Sequence, residues 1–237
     1  MVYQYLLLYK PYDVLSQFTD NSAKSSAATQ TKRRTLKEFV SIPNVYAVGR
    51  LDRDSEGLLL LTDDGPMQHR LSHPRYGHRR QYWVQVECAA NSQPIEDAIA
   101  QLSAGVTIRG YRTRPAQVSL MREPDLPPRD PPIRYRKQIP TAWLEIVLSE
   151  GKNRQVRRMT AAVGYPTLRL VRSALFLPGA RQSGKDSGAR RQGPKLKDSP
   201  QSSNELALTL SGLLPGQWRS LSDYEVRSLP RSGHSRA

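Results

Sequence analysis

Apolar positions along the chain recur with two periods, and the runs with period two dominate. Residues 3–9 are a tyrosine- and leucine-rich run closed by Lys10-Pro11, and they read as a first strand because proline cannot continue a ladder. Residues 58–61 are four consecutive leucines, bounded by Gly57 on one side and Asp63-Asp64-Gly65 on the other. A run that short with such ends predicts a strand buried on both faces. Alternation marks residues 81–88, with Tyr82, Val84 and Val86 on one face. It also marks 141–148, with Ala142, Leu144, Ile146 and Leu148, and then 167–176. Residues 45–48, 106–108 and 116–121 read as shorter strands, and 206–214 and 218–226 return to the fold.

Helical spacing is less frequent. Ile95, Ala98, Ile99 and Leu102 predict a helix over 93–103, with Gly105 to end it. A second helix is predicted from Asn153, as cap, to Val163, with Gly164 as its stop. Val156, Met159 and Val163 would line one side, and Arg154, Arg157 and Arg158 the other. Thr35 and Glu38 have the spacing of a capping box before Leu36, Phe39 and Val40, and Met67 to Leu71 supports a turn or two. Three stretches have no apolar period: the Ser/Thr/Ala-rich 20–32, the proline-rich 123–140, and 179–203. The first reads as a mobile loop, the second as a semi-rigid lid or strap, and the third as a disordered insert or a floppy hairpin tip.

Composition narrows the partners. The 237 residues carry 36 Lys and Arg against 21 Asp and Glu, a net charge of +15. That excess calls for a polyanion, and with no basic amphipathic helix it favours nucleic acid over a membrane surface. No run of about 20 apolar residues predicts a membrane span. The N-terminus has neither the cationic lead nor the cleavage site of a signal peptide, and the single cysteine, Cys88, suits a reducing compartment. Both point to the cytoplasm. His69, His73 and His78 lack the additional soft ligands of a metal site and are expected to contact nucleic acid beside Arg70, Arg75, Arg79 and Arg80.

The densest chemistry lies in Gly49-Arg50-Leu51-Asp52-Arg53-Asp54-Ser55-Glu56-Gly57, immediately before the leucine strand. Three carboxylates and two arginines are thereby fixed to the core, as a reactive site requires. On residue type alone Asp52, Asp54 and Glu56 are equal candidates.

Gly49-Arg50-Leu51-Asp52 followed by Asp54-Ser55-Glu56-Gly57-Leu58-Leu59 resembles the signature loop of the RsuA-like RNA pseudouridine synthases. So do Lys10-Pro11-Tyr12-Asp13-Val14, Tyr82, and the segment from Gly151 through Gln155-Val156-Arg157-Arg158 to Met159. The resemblance extends to about Leu177 and is strongest to large-subunit members without an N-terminal S4 domain, for which this chain leaves no room. Asp13 stands where the family usually has glycine. The resemblance implies an α+β fold: a large mixed, mainly antiparallel sheet in two subdomains, helices outside, and a basic RNA cleft. Residues 1–230 would form the catalytic domain, with the insert at 179–203 and a basic tail at 231–237. It further implies that Asp52 is the catalytic carboxylate, that Arg157 forms an ion pair with it, that Tyr82 stacks on the target base, and that Arg50 fills the gap left by a flipped uridine. Lys10, Arg53, Arg79, Arg80, Arg154 and Arg158 are the further candidates for RNA contact.

The implied reaction converts a uridine of ribosomal RNA, in the large subunit, to pseudouridine, by a monomer with no cofactor and no metal. Two alternatives remain at this point: a non-catalytic ribosomal RNA assembly factor, and an N-glycosidase using Asp52 with Asp54.

Overall fold

The computed structural model describes residues 3–20, 33–89, 92–133, 136, 138–178 and 205–230. Its strands are β1 (Tyr5–Lys10), β2 (Val14–Leu15), β3 (Arg34–Thr35), β4 (Tyr46–Ala47), β5 (Glu56–Thr62), β6 (Arg79–Glu87), β7 (Thr107–Ile108), β8 (Tyr111–Arg112), β9 (Gln117–Met121), β10 (Thr141–Leu148), β11 (Thr167–Pro178), β12 (Glu205–Thr209) and β13 (Trp218–Ser220). The helices are α1 (Gly65–Ser72), α2 (Ile95–Ala104), α3 (Gln155–Ala162) and α4 (Asp223–Ser228). Among the described residues, nine strands form one sheet in the order β13-β1-β5-β11-β6-β10-β9, with β12 on β11 and β4 on β5. β2 with β3, and β7 with β8, make two small separate pairs. The architecture is α+β, and the sheet is mixed and mainly antiparallel, as expected.

Among the described residues, the one parallel contact in the large sheet joins its two halves. β5 and β11 are in register only at Glu56↔Val171 and Gly57↔Arg172. Gly57 has φ +108°, and a Cβ there would meet the Arg172 carbonyl oxygen at 2.4 Å, so only glycine permits the approach. On one side of this junction β1 and β5 are buried on both faces. Leu6, Leu8, Leu59 and Leu61 pack into one cluster, while Leu7, Tyr9, Leu58 and Leu60 pack into another. This is the strand buried on both faces that four consecutive leucines predict. On the other side, β6 and β10 present Val84, Val86, Leu144 and Ile146 to Leu102 of α2 and Met159 of α3. The two subdomains therefore have separate cores and a shared sheet.

Several predicted elements differ. Leu36–Glu38 is one 3-10 turn, and Thr35 makes no capping hydrogen bond there; Glu38 instead accepts from Arg34 at 2.9 Å. α3 begins at Gln155 rather than at an Asn153 cap, because Arg154 before it is left-handed (φ +51°). Asn153 accepts from Arg158 at 2.6 Å, and the Gln155 side chain takes the Lys152 backbone N–H at 2.8 Å. The segment 218–226 does return to the fold, as a strand and then a helix: β13 ends at Ser220, and a capping box formed by Ser222 and Glu225 opens α4. The predicted loop at 20–32 lies outside the described residues except at Asp20, and the insert at 179–203 and the tail at 231–237 lie outside them entirely.

Candidate active site

The charged loop enters β5 next to the parallel junction, and its backbone is held tightly. Ser16 brackets Leu51, donating through Oγ to the Leu51 carbonyl at 2.9 Å and accepting from the Leu51 N–H at 3.1 Å. Ser55 N–H closes a turn on the Asp52 carbonyl at 3.0 Å. The backbone on either side of Asp52 is therefore held without using its carboxylate.

The three rival carboxylates have different surroundings. Glu56 is 2% exposed and is held bidentately by Arg169, at 2.9 and 2.8 Å, inside the fold. Asp54 accepts two hydrogen bonds from Arg154, at 2.8 and 2.7 Å, and has Arg157 Nε 3.3 Å away. Burial raises the Asp54 carboxyl, but Arg154 and Arg157 outweigh it and hold the group below the usual carboxylate range. Asp52 has no hydrogen-bond or ion-pair partner among the described residues, and it lines a cleft of about 590 Å³. Of the three, only Asp52 is available to attack something.

The cleft gathers most of the predicted site. Asp52 and Tyr82 line it, as do Arg50, Arg53, Arg80, Lys152, Arg154 and Arg172. Tyr82 comes from β6 and Arg172 from β11, and the two are direct cross-strand partners. Gly151 to Arg154 reach the cleft because Glu150 anchors their base, accepting from Tyr111 Oη at 2.6 Å, Arg114 N–H at 3.0 Å and Gln155 Nε2 at 2.5 Å. Arg53 is steered by Asp13, whose carboxylate accepts from Nη2 at 3.0 Å. Asp13 has φ +60°, a conformation that glycine adopts most freely and that aspartate tolerates.

Other predicted contacts lie elsewhere. The ion pair expected between Arg157 and Asp52 is replaced by one to Asp54. Arg157 Nη2 also donates to the Asp54 carbonyl at 2.6 Å, and Nη1 to the Thr167 carbonyl at 3.2 Å. Arg157 thus ties the loop to β11; it feels the charge of Asp52 but makes no ion pair with it among the described residues. Its Nε is at ion-pair distance from Asp54 but lacks hydrogen-bond geometry. Lys10 cannot touch RNA, because it is wholly buried and its ammonium donates to the carbonyls of Pro11 (2.9 Å), Val14 (2.7 Å) and Arg53 (3.4 Å). Burial, opposed by Glu56, Asp54 and Asp13, brings its pKa down to about 7. Arg79 points away from the cleft and pairs with Glu205, as alternation along β6 requires when Arg80 and Tyr82 point in. Arg158 is held by Asn153 and does not line the cleft. His78 does line it, buried, with neither ring nitrogen hydrogen-bonded among the described residues.

Sequence reasoning missed Arg172 and Lys152. A signal for Arg172 was present, since an arginine inside the run Leu170-Val171-Arg172-Ser173-Ala174-Leu175, apolar but for Ser173, has to be buried for a reason.

A mixed sheet with a parallel junction, and a cationic cleft lined by a carboxylate that has no partner among the described residues, suits an enzyme acting on a polyanion. Comparison with known proteins makes the class specific. The family model described as RNA pseudouridylate synthase matches residues 4–162. A ribosomal large subunit pseudouridine synthase E from Xanthomonas campestris pv. campestris is 55% identical over 215 residues, covering 90% of this chain and 93% of the relative. Its counterpart in Vibrio vulnificus is 42% identical over 217 residues, 92% of this chain and 74% of the relative. A solved structure titled as a pseudouridylate synthase superposes with a TM-score of 0.62 at 24% identity, over 96% of this chain and 74% of that one, and so shares the fold. The chain belongs to the RNA pseudouridylate synthase family.

Proposed function

We propose that the chain isomerises one specific uridine of large-subunit ribosomal RNA to pseudouridine, with Asp52 as the nucleophile. The observation that carries this is that Asp52 is the one carboxylate of the loop without a hydrogen-bond or ion-pair partner among the described residues, and it lines the cleft. The Xanthomonas and Vibrio relatives, both named as large-subunit enzymes, support the choice of RNA.

The atoms balance without a co-reactant. The N1–C1′ bond breaks, a C5–C1′ bond forms, C5 loses a proton and N1 gains one. A fixed, ionised carboxylate can add to an electrophilic carbon of the nucleotide, hold it while the base turns, and leave again. The reacting atoms are inaccessible in a stacked helix, so the uridine must be flipped out at a cost of a few kcal/mol. A cleft of about 590 Å³ accommodates one nucleotide. Tyr82 on its wall offers a ring to stack on the base, and Arg50 at the loop can occupy the vacated position. Arg53, Arg80, Lys152 and Arg154 neutralise flanking phosphates. The enzyme acts as a cytoplasmic monomer, with residues 1–230 as its catalytic domain and 179–203 as an insert within it.

The two alternatives fit less well. An N-glycosidase needs a second available carboxylate, and Asp54 is committed to two arginines. An assembly factor leaves an aspartate that is unpaired among the described residues in the cleft without a task. Carbodiimide mapping of ribosomal RNA from a deletion strain tests the proposal. One pseudouridine stop in the large-subunit RNA is expected to vanish and to return on complementation. Persistence of every stop would end the ribosomal assignment.

A further inference from the structure

Arg172 is the feature of the cleft that the proposed chemistry does not use. Its residue is 3% exposed, its Nε donates to the Leu58 carbonyl at 2.7 Å, and its Nη2 is buried with no hydrogen-bond partner among the described residues. No carboxylate lies within ion-pair distance among those residues. A buried cation left unpaired is costly, and one that costs stability without repaying it in packing calls for a functional reason. The fold places this cation on the strand next to Tyr82. Arg172 and Tyr82 are direct partners across β11 and β6, and both side chains line the cleft. Burial lowers the pKa of Arg172; of the groups around it, the Tyr82 hydroxyl favours its cationic form and Arg80 opposes it.

We propose that Arg172 is a positioning residue for Tyr82: anchored to the Leu58 carbonyl, it fixes the Tyr82 phenol in the orientation that receives the flipped base. The anchor itself is rigid, because Leu58 follows Gly57, the residue at which β5 crosses close to β11. Any shift of the β5–β11 junction would move the guanidinium and, with it, the ring that forms the cleft wall. The inference rests on the proposed function and adds to it a residue that does not touch the reacting atoms.

The test is a kinetic cycle on ribosomal RNA purified from a strain lacking the enzyme, with pseudouridine formation read directly. Arg172→Met removes the charge while keeping an apolar side chain for the site, Arg172→Lys keeps the charge, and Tyr82→Phe removes the hydroxyl. Arg172→Met is expected to lower kcat by about 10- to 100-fold, the loss typical of a misplaced contact, with KM and RNA Kd within about twofold of wild type. Tyr82→Phe is expected to lose activity as well, and the double variant to be no worse than the poorer single one. Arg172→Lys is expected to recover most of kcat. Multiplying losses in the double variant, or a change in KM alone, would overturn the proposal, as would wild-type kinetics for Arg172→Met. If Arg172→Met does not fold, as a thermal melt would show, Arg172→Lys against Tyr82→Phe completes the cycle: charge retention must then preserve kcat, and its failure would also overturn the proposal. No pseudouridine from the wild-type protein would refute the functional reading itself, and this proposal with it.

Discussion

Lys10 shows how a charged residue can serve the site without facing it. Its ammonium bridges the carbonyls of Pro11 and Val14 to that of Arg53, and so fastens the loop carrying Asp52 to the end of β1. The amine has a pKa of about 7 in the fold, against 10.5 for an ordinary lysine. Between those values the unfolded chain binds one more proton than the folded one, so this group makes stability rise with pH. Below about 7 both states are protonated and the contribution is at its minimum. Urea unfolding of wild type and Lys10→Met between about pH 6 and pH 10 checks this. The wild type should gain on the variant by up to about 1.4 kcal/mol per pH unit through that window. A difference that stays flat with pH would contradict the assignment. At this scale the sequence was legible in part. The motif picked out Asp52, but nothing local separated it from Asp54, because the distinction is tertiary: Arg154, which occupies Asp54, is 100 residues away in the chain. For the same reason Lys10 could pass for a surface contact and Arg157 for the partner of Asp52.

At the scale of elements, the alternating strands and the leucine run were readable because burial on one or both faces writes itself into the period. The ends of elements were less so. Asn153 had the side chain for a cap, yet the left-handed turn at Arg154 starts α3 two residues later. The box at Ser222 and Glu225 was not legible, because 218–226 reads only as a segment that returns to the fold. The contact that matters most, β5 against β11, is two residue pairs long and depends on Gly57. Gly57→Ala should destabilise the protein by about 3 kcal/mol or more, since the new methyl group would overlap the backbone of Arg172 in an already close-packed core. Thermal and urea unfolding measure it. A variant as stable as wild type would mean that the two halves of the sheet are not joined as described.

For the whole molecule, the positive charge and the long insert belong together. The paired ends of β11 and β12, Pro178 and Glu205, are where the chain leaves and rejoins the sheet. Replacing 179–204 by a short turn should change stability by less than about 1 kcal/mol, because loop length enters only logarithmically. The segment 179–203 carries Arg181, Lys185, Arg190, Arg191, Lys195 and Lys197 against Asp186 and Asp198. Its removal should weaken RNA binding and flatten the dependence of log K on log salt by roughly 0.7 for each phosphate that the insert neutralises. Filter binding at several salt concentrations reads both effects; an unchanged slope would exclude the insert from the RNA interface. The net charge of +15 predicted a polyanion, but only the folded cleft shows where the charge is concentrated.

The most direct test of the central claim is tritium release from RNA labelled at uridine C5, comparing wild type, Asp52→Asn and Asp54→Asn at matched folding. Wild type should release tritium, and Asp52→Asn should not rise above background. Asp54→Asn should keep measurable release at a reduced rate, since it loses the grip of Arg154 and Arg157 but keeps the free carboxylate. Release from Asp52→Asn at the wild-type rate, or abolition by Asp54→Asn alone, would contradict the assignment of Asp52 as nucleophile.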